Sequence, residues 1–425
     1  MTIWDILAAV FSLPSYVLML IVLWIIGMIA GLKPSRAFRC GLLYAIGLWG
    51  LLTISNLLGS NFAPAVVNMS QKWAVGKYIV DTPGVWTVIF ATLWPALSIP
   101  IQLGVNFILL YIGFTKTFNI DVFNFQFYYF LAVYAYVLSG GNWIYSIIVY
   151  IVTEIIILKI ADFTAPAIQK HFGLPENVSF TQFASACCAV VGATLGKLFM
   201  KIPKLKDIKA DPRSLKERFG LFGDPVVIGL IVALVISAIG LWPDWISILS
   251  TSVIVAACIY ILPKMVAILI EGLVGICNAV RDKVSKSKRF KGIYIGIDSY
   301  ITAGYEDVIS AVVLTMVFTE IACALIPTIH ALPVTGLPFF IGDTNFILPY
   351  VGGNILIAAI VATIWEIIGA HFASWVAPIY TQGMAMYGGA VEPGVLYTWV
   401  VCPGWHIALW IWNLLWQFIT HLFGA

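Results

Sequence analysis

Charge is what this chain has least of. Only 10% of its residues are Asp, Glu, Lys or Arg, where a soluble protein carries about 25%. That scarcity excludes an ordinary soluble domain. With 61% hydrophobic residues and a mean hydropathy of +0.99, the composition describes a polytopic membrane protein with spans of about 20 residues. The start lacks a basic segment and a small-residue cleavage site, so no cleavable leader is expected. The seven cysteines are scattered, with no Cys-x-x-Cys and no His-Cys cluster, which excludes a disulfide framework and a thiolate metal site. They read as packing residues. No Gly-x-x-x-x-Gly-Lys-Ser/Thr, kinase signature or Ser/His/Asp order is present, so the chain hydrolyses no nucleotide. Energy must come from a gradient or a partner. No catalytic residue, metal or cofactor is assigned, and the net charge of +3 makes no case for nucleic acid.

The few basic residues are concentrated. Most of the 23 Lys and Arg lie in three stretches. Lys33, Arg36 and Arg39 make the first, and Lys197, Lys201, Lys204, Lys206, Lys209, Arg213, Lys216 and Arg218 the second. Arg281, Lys283, Lys286, Lys288, Arg289 and Lys291 make the third. Positive loops stay cytoplasmic, so these three are assigned inside a cell membrane. The start, with Asp5 and no basic residue before Lys33, is assigned outside. The apolar runs then give spans at 13–32 and 41–58, a stretch at 59–84 with polar breaks that lies outside or re-enters, and a long Pro-kinked run at 85–114. Runs at 125–138 and 143–160 flank the Ser139-Gly140-Gly141-Asn142 break, which reads as a re-entrant hairpin or discontinuous helix. Residues 164–178 are polar enough to lie on the surface. Further runs lie at 183–200, 225–241, 246–262, 265–280, 293–326, 350–368 and 395–422. The expectation is an all-α protein of about eleven transmembrane helices plus re-entrant hairpins. Its parts are a first membrane half (1–195), a cytoplasmic basic linker (196–224) and a second membrane half (225–425).

Each half contains one acid-bearing break after basic residues: Asn119-Ile120-Asp121-Val122 and Gly296-Ile297-Asp298-Ser299. Interrupted apolar segments in corresponding places of two halves point to a transporter binding site, and such halves are expected to be inverted repeats. Asp121 and Asn124 share a helical face. Carboxylates and amides bind hydroxyl pairs, and the aromatics nearby can stack on the apolar face of a sugar or polyol. The alternative is that Asp121 only caps a helix. Asp298 is followed by Glu306 and Asp307, more acids than capping requires. The Pro/Gly-interrupted stretch 336–345 offers Asp343 and Asn345, at a depth where irregular backbone belongs beside a cavity; the alternative is an ordinary external loop. Candidate substrate-binding residues are therefore Asp121, Asn124, Asn142, Asp298, Glu306, Asp343 and Asn345. Glu154, Glu271, Glu320 and Glu366 are left out as single acids explained by pairing or by an interface. An ion-coupled secondary transporter of a small polar solute uses the same intramembrane acids and stands as the alternative function. A membrane-embedded enzyme or a pure receptor is the remaining class.

The motifs also carry a resemblance. Asn119-Ile120-Asp121-Val122-Phe123-Asn124 resembles the Asn-Val-Asp-Val-Trp-Asn stretch of galactitol-type phosphotransferase membrane subunits (enzyme IIC). Residues 218–229 resemble their Lys/Arg-Phe-Gly-x-Phe-Gly-Glu-Pro-Val-x-x-Gly. Ile295-Gly296-Ile297-Asp298 with Gly304 resembles their Ile-Gly-Leu-Asp…Gly-His, and Leu332-Pro333 with Gly342-Asp343 their Leu-Pro-Phe-Gly-Asp. The resemblance implies the ascorbate–galactitol fold: a homodimer embedded in lipid, with core and scaffold domains and two inverted repeats. It implies uptake of a sugar or polyol that is phosphorylated inside by a phosphocysteine on a separate enzyme IIB. Enzyme IIA, HPr and phosphoenolpyruvate supply that phosphoryl group. Tyr305 stands where the family has His, Ser299 where it has Pro, and Asp224 where it has Glu, so the identity of the polyol stays open.

Overall fold

The computed structural model describes residues 13–73, 77–82, 84–206, 225–284, 292–333, 337–389, 391 and 393–423. Asp5, Lys209, Arg213, Lys216, Arg218, Asp224, Lys286, Lys288, Arg289, Lys291 and Gly336 lie outside the described residues.

The chain is mostly helical. The first apolar run forms α1 (Ser15–Ile29), and α2 (Pro34–Trp73) follows after a turn. The sequence places a span at 41–58 and an external or re-entrant stretch after it. Instead one helix of 40 residues runs through the span and on into that stretch as far as Trp73, about 60 Å at 1.5 Å per residue. Polar residues such as Asn61 do not end it, because the Asn61 amide bonds back to the Leu57 carbonyl at 2.8 Å. A short helical turn at Gly84–Ala91 leads into α3 (Trp94–Tyr111), with Pro95 where a missing N–H costs nothing.

Two helices, α4 (Val122–Leu138) and α5 (Trp143–Phe172), flank the Gly-Gly break. Gly140 and Gly141 sit at φ 65 and 98, a region that side chains disfavour, and Asn142 then caps α5 by accepting from the Tyr145 N–H. The polar stretch expected on the surface at 164–178 is mostly the end of α5, with Thr164, Ala165 and Ile168 buried. The apolar run after it is a broken helix, α6 (Phe183–Phe199), with a π-turn at Gly192–Gly196.

Beyond the basic stretch come α7 (Pro225–Leu241) and α8 (Trp245–Val284). The sequence divides the latter at Pro263-Lys264; the helix runs on, packed along α2. Close contact is possible because a Cβ on Gly47 or Gly272 would meet Leu269 or the Cys40 carbonyl oxygen at 2.5 and 2.4 Å. Then follow α9 (Glu306–Leu325), the short α10 (Ile341–Ile347), α11 (Ile355–Met386) and α12 (Pro403–Phe423). Of the described helices, α5, α9 and α11 are long and apolar enough by composition to cross a membrane, and several shorter ones are apolar.

The sequence reading contains no strand, yet five short ones form. They are β1 (Ile79–Asp81), β2 (Thr117–Asn119), β3 (Val178–Phe180), β4 (Tyr294–Ile297) and β5 (Leu396–Thr398). They build two small parallel sheets, β1-β5 and β2-β4-β3, and Ala331 bridges to Ile79 beside β1. Where buried helices break, their N–H and C=O groups have no water to turn to, so they pair with one another. Pairing sets Asn119 opposite Gly296, and Ser179 opposite Gly296 on the other side. Only glycine fits there: an added Cβ would meet Thr181 at 2.5 Å and the Asn119 Cα at 3.0 Å.

Candidate functional site

The middle sheet brings the two sequence motifs side by side. Asp121 leaves β2 and Asp298 leaves β4, both buried. The Asp298 backbone N–H donates to Asp121 Oδ2 at 2.9 Å, and the Tyr44 hydroxyl donates to the same oxygen at 3.2 Å. Asp298 Oδ1 accepts from the Tyr300 N–H at 2.8 Å, capping a 3-10 turn (Ser299–Thr302). Its Oδ2 has no donor among the described residues. One Asp298 oxygen therefore caps a turn and the other is left over.

A polar network extends from this pair. Asn119 Oδ1 accepts from the Asp121 N–H at 3.2 Å and the Thr181 hydroxyl at 3.0 Å, and its amide donates to the Tyr128 hydroxyl at 3.0 Å. The Tyr128 hydroxyl donates in turn to the Thr181 carbonyl. The Asn124 amide donates to Thr181 Oγ1 at 3.0 Å, leaving Asn124 Oδ1 without a donor. One residue on, the Ser299 hydroxyl donates to Gln182 Oε1 at 2.5 Å. The Ser299 carbonyl accepts from the Asn345 amide at 3.0 Å, and that contact joins the second broken segment to the first.

Asn345 and Asp343 both lie on α10 and are fully buried. Trp365 Nε1 donates to Asp343 Oδ1 at 3.3 Å. Asp343 Oδ2 and Asn345 Oδ1 have no donor among the described residues. The ordinary-loop alternative for 336–345 therefore does not hold for α10, every residue of which is buried. Aromatic rings flank the network: Tyr300 and Phe339 at 6.4 Å between centroids, then Phe339 and Trp399 at 5.3 Å.

Five of the seven sequence candidates thus meet in one buried cluster. Two do not. Asn142 is exposed and spends its side chain on the α5 cap. Glu306 is exposed in the first turn of α9, where a negative charge favours the helix N-terminus. Its neighbour Asp307 pairs with His171 Nε2 at 2.8 Å. Sequence reasoning missed Thr181 and Gln182, which only folding brings to the motifs. It also set aside Glu366, which is fully buried with both oxygens lacking a donor.

Chemically, the leftover acceptors are Asn124 Oδ1, Asp298 Oδ2, Asp343 Oδ2, Asn345 Oδ1 and the Glu366 carboxyl, and the Ser185 hydroxyl and the Trp399 Nε1–H are left over as well. Acceptors without donors are costly in a dry interior, about 1–3 kcal/mol each. A guest rich in hydroxyl groups supplies what they lack. No described Lys or Arg side chain is buried, so nothing here neutralises an anion. Among the described residues no group of three or more His, Cys, Asp or Glu is arranged to hold a metal ion.

The family described as “PTS system sugar-specific permease component” (EIIC-GAT) matches residues 9–393. The “Putative permease IIC component” of Escherichia coli (strain K12) is 27% identical over 89% of this chain and 86% of its own length. The “PTS system galactitol-specific EIIC component” of the same strain is 24% identical over 92% of this chain and 86% of its own length. The protein of that description from Escherichia coli O157:H7 gives the same figures.

Proposed function

Since the chain belongs to the sugar-specific permease (EIIC-GAT) family of the phosphotransferase system, we propose that its buried polar cluster is where it holds a neutral, galactitol-like polyol. The chain is an integral membrane component that works with enzyme IIB and IIA partners on a sugar substrate. The substrate enters from outside, binds to Asp121, Asn124, Asp298, Asp343 and Asn345, and is phosphorylated at the inward mouth by the phosphocysteine of enzyme IIB. The observation that carries this reading is the cluster itself: buried acceptors from two broken segments that no donor among the described residues satisfies. Asn142 and Glu306 act as helix-end residues.

The halves 1–195 and 225–425 are inverted repeats in this reading, joined by the linker 196–224. Matching details support it. Each repeat has a 40-residue helix, α2 or α8. Gly140-Gly141-Asn142 before α5 matches Gly352-Gly353-Asn354 before α11, with left-handed glycines and a capping asparagine in both. Glu154 and Pro166 stand at the same positions of α5 as Glu366 and Pro378 of α11. The strands exchange reciprocally: β1 pairs with Ala331 and β5, while β4 pairs with β2 and β3. A two-fold axis relating the halves generates that exchange. The bundle of α1, α2, α7 and α8 is the scaffold domain, and the remaining helices form the core. The protein is a multi-pass homodimer in lipid with its N-terminus outside.

The test supplies reconstituted protein with phosphoenolpyruvate, enzyme I, HPr and the cognate A and B subunits. Phosphorylated polyol accumulates inside. Concentrative uptake of unmodified solute driven only by an ion gradient would overturn the assignment.

A further inference from the structure

Glu366 is a buried acid that the hydrogen-bond network described above does not engage. It lies midway along α11 with 0% exposure, and neither carboxyl oxygen receives a hydrogen bond from a donor among the described residues. The carboxyl of Asp343 lies within hydrogen-bonding reach of it, and Ser185 lies beside Asp343. Asp343 also lacks a donor at Oδ2. Two ionised carboxylates facing each other without a cation repel, and no described Lys or Arg side chain is buried to intervene. One proton held between the two carboxyls removes that repulsion.

Such a pair offers one O–H donor and several acceptor positions, the complement of a hydroxyl or a vicinal diol. Its neighbours point to a ligand independently. Asn345, two residues further along the short helix, is fully buried with Oδ1 unpartnered, and its amide ties this end of the network to Ser299, next to Asp298. Asp298 brings a further unpartnered acceptor. The polar cluster thus has two acidic ends, Asp121–Asp298 and Asp343–Glu366, joined through Ser299 and Asn345.

We infer that Asp343 and Glu366 form a distinct hydroxyl-binding subsite for the transported solute, with Glu366 as a specificity-determining residue that selects a neutral polyol over its carboxylate counterpart. This rests on the reading of the cluster as the solute site. A carboxylate at that position would face two acids with no compensating cation, whereas a hydroxyl both donates and accepts.

The first half of the chain supplies an internal control. Glu154 occupies the corresponding position of α5, equally buried and also unpartnered at both oxygens. Yet Leu131 stands where α10 carries Asp343, by the same spacing. A role in folding alone would make the two glutamates behave alike.

The experiment measures equilibrium binding to the full-length reconstituted protein. The probes are galactitol, other hexitols and pentitols, their monodeoxy analogues and galactonate. The wild-type chain discriminates against one deoxy position by about tenfold or more and rejects galactonate. Glu366→Gln reduces discrimination at that position to about threefold or less and leaves other positions unchanged, while Glu154→Gln changes none. Asp343→Asn acts at the same deoxy position as Glu366→Gln. Wild-type discrimination in Glu366→Gln, an equal loss in Glu154→Gln, or a uniform loss at all hydroxyls would overturn the inference. So would failure of both Glu366→Gln and Asp343→Asn to fold, because that outcome makes the pair structural. If the wild-type protein binds none of the polyols, the proposed function fails instead, which separates the two results.

Discussion

Asp298 shows how much one residue's second oxygen matters. Its first oxygen caps the 3-10 turn at 2.8 Å, a job that an asparagine side-chain oxygen does equally well. Its second oxygen has no donor among the described residues, and a charged acceptor for a hydroxyl is worth about 1.5–3 kcal/mol. Asp298→Asn should therefore insert and melt like the wild type but bind polyol about tenfold or more weakly. Transport at the wild-type rate by that variant would remove Asp298 from the site. Asp121 is a different case, since its Oδ2 holds the Asp298 N–H and the Tyr44 hydroxyl. Loss of its carboxylate should cost stability as well as binding.

At the scale of elements, helix contacts are set by small residues. A Cβ at Gly240 of α7 would meet the Ala65 carbonyl oxygen of α2 at 1.9 Å. Neither backbone can yield without moving its helix, so Gly240→Ala should destabilise the protein by about 1–3 kcal/mol. Gly104 of α3 has nothing within 4 Å of an added Cβ. There Gly104→Ala removes a poor helix former and should stabilise by up to about 1 kcal/mol. Thermal melts of the two variants in detergent compare them directly, and equal shifts would refute the backbone-contact account. The turn between α7 and α8 is built from local bonds. Asp244 accepts from the Ser247 hydroxyl at 2.6 Å and from its N–H at 3.1 Å, and these bonds hold the carboxyl below its usual range.

For the whole molecule, orientation follows from charge. Lys197, Lys201 and Lys204 are exposed at the end of α6 and just beyond it, while Trp242 and Trp245 are exposed at the α7–α8 turn. Basic residues stay inside, and α7 runs once between the basic stretch and the tryptophan turn, so the two regions are assigned to opposite faces. An impermeant thiol reagent should label Trp245→Cys in intact cells and Lys201→Cys only after permeabilisation. Labelling of Lys201→Cys in intact cells would reverse the topology and remove the basic face from reach of enzyme IIB. Exposed lysines on that face favour an approaching phosphoryl group.

What the sequence determined by itself followed from local chemistry. Low charge and long apolar runs require helices in lipid, and the basic stretches imply an orientation. The two acid-bearing breaks marked Asp121 and Asp298 before any fold was known, because an acid in an apolar chain is expensive wherever it lies. Only the tertiary structure decided which acids meet. Asn142 and Glu306 look like Asp121 and Asp343 in one dimension, yet helix ends draw them to the surface. Glu366 sits in an unbroken apolar helix, so no break in the pattern announced it. The strands were illegible for the same reason. Three-residue segments carry no periodicity, and they form because broken backbones from distant parts of the chain must satisfy one another where water is absent.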